Sequence, residues 1–311
     1  MAGIKYYIVD VFATNKYEGN QLAVFIDLEN QLSDKQMQRM AREINFAETT
    51  FIKALKDGGR CVVRIFTPEH EVPFAGHPSL GTSYVIAKFL LNKVSDALIL
   101  ELPIGDIPIR ILEPNDLDNS IFYMRQTQPV FRECFTHEEI ASELGIPLDD
   151  LDPSVPVQEI TTGLPYIIVP LKSLAAMETL KLEFNAFQAF LEKRKKYRTN
   201  SPTGHSTSLF FFTKETYHID NQFNTRMLLI ENGRISEDAA TGSANGCFLA
   251  YLLKHQNAPI KATVEQGFQM QRPSFIYLDG HVIARNEATE GVYNINVGGK
   301  TQLIAEGVWY V

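Results

Sequence analysis

Residues 78–91, PSLGTSYVIAKFLL, carry one charge, Lys88, and residues 243–254, SANGCFLAYLLK, carry none before their last position. Neither stretch has a polar face. A helix that is apolar on every side has to be covered on every side. The rest of the chain is rich in short strand-like runs, so the economical cover is a sheet curled around each helix. Each stretch is opened by a glycine turn, Ala75-Gly76-His77 in one and Ala240-Thr241-Gly242-Ser243 in the other. The matching placement reads as an internal repeat: an α+β chain of two similar domains, each a barrel-like β-sheet wrapped around a central buried helix.

Working outward, runs rich in Ile, Val, Tyr and Phe predict strands at 4–12, 61–66, 97–102, 107–112 and 120–125. A second set falls at 157–162, 166–170, 208–213, 225–230, 261–265, 274–279, 281–285, 291–297 and 302–310. Asp279-Gly280 is a two-residue hairpin signal between two of these runs. Ser33 with Gln36 and Thr136 with Glu139 form capping boxes ahead of amphipathic helices. Met37, Met40, Ala41 and Ile44 share one face of the first. Ile140 and Leu144 mark the second, which Gly145 and Pro147 stop. EPNDLDNS and the Gln128-Pro129 step break the strand pattern between 112 and 132. The domains are therefore expected at 1–118 and 119–301, with a strand near 302–311 crossing back to the first. The basic, turn-rich stretch 192–206 reads as a helix end and a loop.

The 311 residues suffice for two ordinary domains, and 45% hydrophobic with 21% charged residues is the composition of a globular protein. Lys and Arg number 29 against 37 Asp and Glu, a formal charge of −8. That balance disfavours nucleic acid and anionic membranes as partners. Cys61, Cys134 and Cys247 are odd in number and widely spaced, which suggests neither a zinc site nor a disulfide framework. The amino-terminal run lacks signal-peptide organisation and no apolar stretch is long enough to span a bilayer, so a cytoplasmic protein is expected.

If the two apolar helices begin at their glycine turns, each presents unpaired backbone N–H groups and partial positive charge. Two such ends facing across a domain cleft would suit a carboxylate or a developing enolate. Polar residues collect at these turns. Glu48, in NFAETTF, either faces solvent by strand alternation or sits among apolar neighbours, where it would suit proton transfer. His77 is either a neighbour of the helix start or a partner to Glu48. Asp238 and Ser243 flank a helix start, where capping alone would account for both.

The segments EGNQLAVF (18–25), AREINFAETTFI (41–52), RIFTPEHEVPFAGHPSLGTSYVI (64–86), TGLPYIIVPL (162–171), EDAATGSANG (237–246), QGFQMQRPS (266–274) and VGG (297–299) occur in this order. They resemble the phenazine biosynthesis-like (PhzF-like) family over essentially the whole chain. The resemblance implies a diaminopimelate epimerase-like fold with its active site between two domains. It implies Glu48 as acid/base, with His77, Asp238 and Ser243 as further catalytic positions. Backbone donors at Gly76, Thr241 and Gly242 would hold the substrate carboxylate, and Asn20 would line the same site. It also implies a homodimer. Two departures stand out. Ala239 replaces the usual proline of ED-P-ATGS, and the cysteine pair of the superfamily's racemases is absent from both turns.

The leading expectation is a cofactor-independent, metal-free isomerase moving a proton on a small carboxylate-bearing substrate. No dinucleotide fingerprint or metal-ligand cluster is present in the sequence. An amino-acid epimerase or racemase working without the cysteine pair is one alternative. A non-catalytic small-molecule binding protein is another.

Overall fold

Both apolar stretches are helices enclosed by strands. The computed structural model describes residues 3–199, 206–286 and 289–311, without the side chains of 285, 286, 289 and 290. The chain divides into two units, Met1–Arg125 with Val297–Val311, and Gln126–Asn296.

The first unit contains β1 (Gly3–Val11), β2 (Asn20–Ile26), β3 (Glu48–Lys56), β4 (Arg60–Phe66), β5 (Glu71–Val72), β6 (Ala97–Leu102), β7 (Gly105–Ile111) and β8 (Phe122–Arg125). The strand Thr301–Tyr310 pairs antiparallel with β1, and from it the order runs β1, β2, β3, β4, β6, β7, β8. The short β5 lies on β4. Two of these neighbours, β2–β3 and β4–β6, are parallel, and parallel neighbours require a crossover. The crossovers hold the helices α1 (Asp34–Ile44) and α2 (Gly76–Val85), the latter continued by a π-helical turn at Ile86–Leu90. Every α2 residue from His77 to Val85 is buried, against β1, β2, β3, β6, β8 and the strand Thr301–Tyr310. At Gly81 an added Cβ would lie 2.6 Å from Val11 and 2.7 Å from Leu22, so this helix sits tight on its sheet. On the other face, α1 covers Phe25, Phe51 and Phe66 with Met37, Met40 and Ala41. Its Ser33–Gln36 capping box is present, an arrangement that contributes about 1 kcal/mol.

The second unit repeats this plan. It contains β9 (Val130–Phe135), β10 (Val157–Thr161), β11 (Pro165–Pro170), β12 (Ser208–Thr213), β13 (Phe223–Glu231), β14 (Arg234–Asp238), β15 (Ile260–Gln266) and β16 (Ser274–Asn286). They are ordered β9, β10, β11, β12, β13, β15, β16, with β14 on β13. As in the first unit, the third and fifth neighbouring pairs are parallel, here β11–β12 and β13–β15. Helices α3 (His137–Leu144), α4 (Leu174–Thr179) and α5 (Phe184–Lys193) share one core on the outer face. Helix α6 (Gly242–Gln256) is buried from Ala244 to Leu253 and packs on β10, β11, β15 and β16. The Thr136–Glu139 box and the left-handed Gly145 bound α3 as the sequence predicts. The segment continues through β17 (Thr289–Gly299) to Thr301–Tyr310, hereafter β18.

Several expectations are corrected. Asp279-Gly280 is not a turn: both residues lie inside β16, facing Lys261 and Ile260 of β15. A Cβ on Gly280 would lie 2.9 Å from the Asn294 carbonyl oxygen, 3.0 Å from Leu249 and 3.1 Å from Leu253. The glycine is there for close packing under α6. The division between units falls after Arg125 rather than at 118, because β8 pairs with β7, and the return falls at 297. The strand expected at 208–213, SLFFFT, is wholly buried as β12 between β11 and β13. Strands β2, β5, β9 and β14 and helices α4 and α5 were not resolved by the apolar pattern, and β3 was foreshadowed only by the strand alternation beside Glu48. Of the basic stretch, residues 200–205 lie outside the described residues. Its Lys193 and Arg194 pair with Glu143, and Lys196 pairs with Glu133 and Glu159.

Candidate active site

In the first unit, the left-handed Asn45 ends α1 and releases the chain into β3, which begins at Glu48. Strand β2 begins at the buried Asn20, and Leu22 stands beside Glu48 in the parallel register. Helix α2 begins at Gly76, with Ala75 as an N-cap that offers no side-chain hydrogen bond. Pro78 is thus the third helical residue rather than the first. Its missing N–H still belongs to the first turn, where that donor would have no intrahelical acceptor. A buried hydrogen bond of 2.8 Å between the Thr50 and Thr82 hydroxyls ties β3 to α2.

This frame sets His77 against Glu48, with Nε2 3.5 Å from Oε2. The His77 side chain is 7% exposed and that of Glu48 20%. Burial pushes the His77 pKa down to about 4, opposed by a hydrogen bond to the Gln21 backbone carbonyl. The imidazole is therefore neutral at ordinary pH, and the contact with Glu48 is not an ion pair. A carbonyl can only accept, so the ring nitrogen facing Gln21 carries the proton. The other nitrogen, Nε2, makes no hydrogen bond to a described residue and lies 3.5 Å from Glu48 Oε2.

In the second unit, β14 ends at Asp238 and α6 begins at Gly242 after Ala239, Ala240 and Thr241. Thr241 Oγ1 donates to Asp238 Oδ2 at 2.6 Å. The Ser243 hydroxyl lies 2.7 Å from the Tyr166 hydroxyl of β11. Gln266, fully buried at the end of β15, reaches the same turn with both ends of its amide. Sequence reasoning quoted the segments holding Tyr166 and Gln266 but gave neither a role. The only signal was their place in motif-like segments, because spacing cannot show that β11 and β15 end beside the α6 turn.

Glu48, His77 and Gly76 thus meet in one unit, with Asn20 opening a neighbouring strand. Asp238, Thr241, Gly242 and Ser243 meet in the other. Cys247, one turn into α6, is buried beside Thr162, and burial pushes its thiol pKa up to about 12. A protonated, enclosed thiol is a poor proton carrier. Among the described residues, no three His, Cys, Asp or Glu side chains are grouped to hold a metal ion. No described helix is long and apolar enough to cross a membrane. A shallow groove on the second unit lies between Leu180, Leu228, Ile235, Arg226 and Glu237. Arg226 spends its donors there on Glu237 and on the Met177 and Leu180 carbonyls.

A family model described as phenazine biosynthesis-like protein matches residues 9–307. A trans-2,3-dihydro-3-hydroxyanthranilate isomerase of Pseudomonas aeruginosa is 32% identical, with 99% of each chain covered. A Bacillus anthracis phenazine biosynthesis protein of the PhzF family has a solved structure similar to this one, with a TM-score of 0.83, 25% identity and both chains covered completely. A hydroxyproline epimerase of Agrobacterium vitis shares the fold alone, at a TM-score of 0.59 and 10% identity over 98% of this chain and 92% of its own. The chain belongs to the phenazine biosynthesis-like family and has the diaminopimelate epimerase-like fold.

Proposed function

We propose that this family member, an isomerase, moves a proton on a small carboxylate-bearing substrate with Glu48 as its acid/base and without a cofactor. The observation that carries the reading is the buried 3.5 Å approach of a neutral His77 to Glu48. Glu48 takes a proton from a carbon activated by a neighbouring double bond or carboxylate, and returns it elsewhere on the substrate. His77, which already holds its own proton on the Gln21 side, receives or lends one at Nε2. Backbone N–H groups at Gly76 and Gly242 take the substrate carboxylate, as uncapped first turns do, while the Thr241 N–H, expected to join them, is given to Gln266 Oε1. Asn20, Asp238 and Ser243 orient the substrate.

The test is Glu48→Gln, which keeps shape while removing the titratable oxygen. The first probe is trans-2,3-dihydro-3-hydroxyanthranilate, after which the Pseudomonas aeruginosa relative is named. Turnover should fall about 10²–10⁴-fold with the fold and binding retained. Near-normal single-turnover chemistry in the folded variant would falsify the assignment. The same reading makes the chain a cytoplasmic homodimer, and light scattering that gives a monomer mass at all concentrations would remove the dimer.

A further inference from the structure

The turn that carries Asp238 is braced from outside by the Gln266 side chain. Gln266 Oε1 accepts from the Thr241 backbone N–H at 3.3 Å and from Asn245 Nδ2 at 3.1 Å. Gln266 Nε2 donates to the Asp238 backbone carbonyl at 2.9 Å and to Thr241 Oγ1 at 2.9 Å. The two main-chain partners fix which end of the amide is which, because an N–H can only donate and a carbonyl can only accept. The direction of the remaining hydrogen bonds follows. Thr241 Oγ1 receives a hydrogen from Gln266, so its own proton is directed to Asp238 Oδ2, 2.6 Å away. Asp238 Oδ2 is therefore an acceptor, and any proton that Asp238 carries has to sit on Oδ1.

We propose that Gln266 is a positioning residue which, through Thr241, fixes Asp238 as a hydrogen-bond acceptor with Oδ2 committed and a defined orientation. Gln266 is fully buried, so it acts through the turn and not on the substrate. The chain of donors is Gln266 Nε2–H to Thr241 Oγ1–H to Asp238 Oδ2. One consequence is that Asp238 presents the same face in every turnover without a rotamer search, which matters when catalysis depends on placement. A second is that an aspartate held in this way orients a substrate donor better than it supplies a proton. The inference rests on the proposed function only in giving Asp238 a substrate to face.

The test uses the full chain with Gln266→Met, Thr241→Val and Thr241→Ser. In the unmodified protein, NMR should show the Thr241 hydroxyl proton in slow exchange with a cross-peak to the Asp238 β protons. Gln266→Met should abolish that signal and speed amide exchange at Thr241 by about tenfold or more, the equivalent of one lost hydrogen bond. With trans-2,3-dihydro-3-hydroxyanthranilate as probe, Thr241→Val should lower kcat by about tenfold with little change in KM, and Thr241→Ser should restore it. Thr241→Val removes only the relay hydroxyl, so it remains informative if Gln266→Met fails to fold. Persistence of the hydroxyl signal in folded Gln266→Met, or full kcat in Thr241→Val, overturns the inference. If the unmodified chain does not turn over the probe, the NMR readout decides alone. Full turnover in folded Glu48→Gln would overturn the proposed function and leave the NMR outcome standing.

Discussion

Gly280→Ala tests how α6, whose start holds Thr241, Gly242 and Ser243, is seated on its sheet. The new methyl group would meet the Asn294 carbonyl oxygen at 2.9 Å, Leu249 at 3.0 Å and Leu253 at 3.1 Å. Real contacts of this kind sit near 3.5–4.0 Å, so three neighbours have to move by several tenths of an ångström at once. Overpacking of this order costs about 1–3 kcal/mol. The stiffer unfolded chain returns about 0.4–1 kcal/mol, leaving a net loss of roughly 1–2 kcal/mol. For a unit of this size the melting point should fall by about 2–8 °C. The discriminating measurement is a double-mutant cycle with Leu253→Ala, followed by urea unfolding. Leu253→Ala alone should cost about 2–5 kcal/mol, because that side chain is fully buried. The pair should cost less than the sum by about 0.5–2 kcal/mol, since removing the leucine makes room for the methyl group. Strict additivity within about 0.5 kcal/mol would refute the packing argument, because a glycine retained for a turn would not sense Leu253.

Ala250→Asp places a charge at a fully buried position in the middle of α6, and should cost more than about 4 kcal/mol or abolish folding, as soluble expression and calorimetry would show. His77 has a folded pKa of about 4 against 6.5 when exposed. Between those values the unfolded chain binds a proton that the folded chain does not, so stability should rise with pH across that window and level off above it. His77→Gln should flatten the rise, worth at most ~1.4 kcal/mol per pH step, and equal slopes in urea titrations would contradict the assignment. Carboxylate binding should survive Lys88→Met and Arg64→Met, because Lys88 is held by Asp118 and Arg64 by Glu71 and Asp34. Calorimetric titration with anthranilate would expose a side-chain clamp if either change abolished binding.

Helices α1, α2, α3 and α6 were legible because their signals are local. Capping boxes at Ser33 and Thr136 lie within four residues, and a stretch without a polar face states its own burial. Strands such as β9, where Val130, Arg132, Glu133 and Cys134 are exposed, carry too few buried residues to declare themselves. Asp279-Gly280 shows the opposite failure. A local turn signal was overruled by Leu249 and Leu253, which belong to another element and are invisible to any window around residue 280. The candidate site divides in the same way. Glu48 and His77 stood out by type and by the turns beside them. Gln266 and Tyr166 act on residues 25 and 77 positions away, and only the folded arrangement of β15 and β11 makes them relevant.

The pairing of β1 with β18 joins residues 3–11 to residues 301–310. During synthesis, β1 leaves the ribosome long before its partner exists, and everything in the second unit is made in the interval. Over that time the first unit carries an open strand edge, the kind of surface that pairs with whatever strand it meets. Closing it joins segments nearly a whole chain apart, which is slow compared with forming local contacts. The first unit, which also holds Glu48 and His77, therefore closes its sheet only once residues 301–310 have been made.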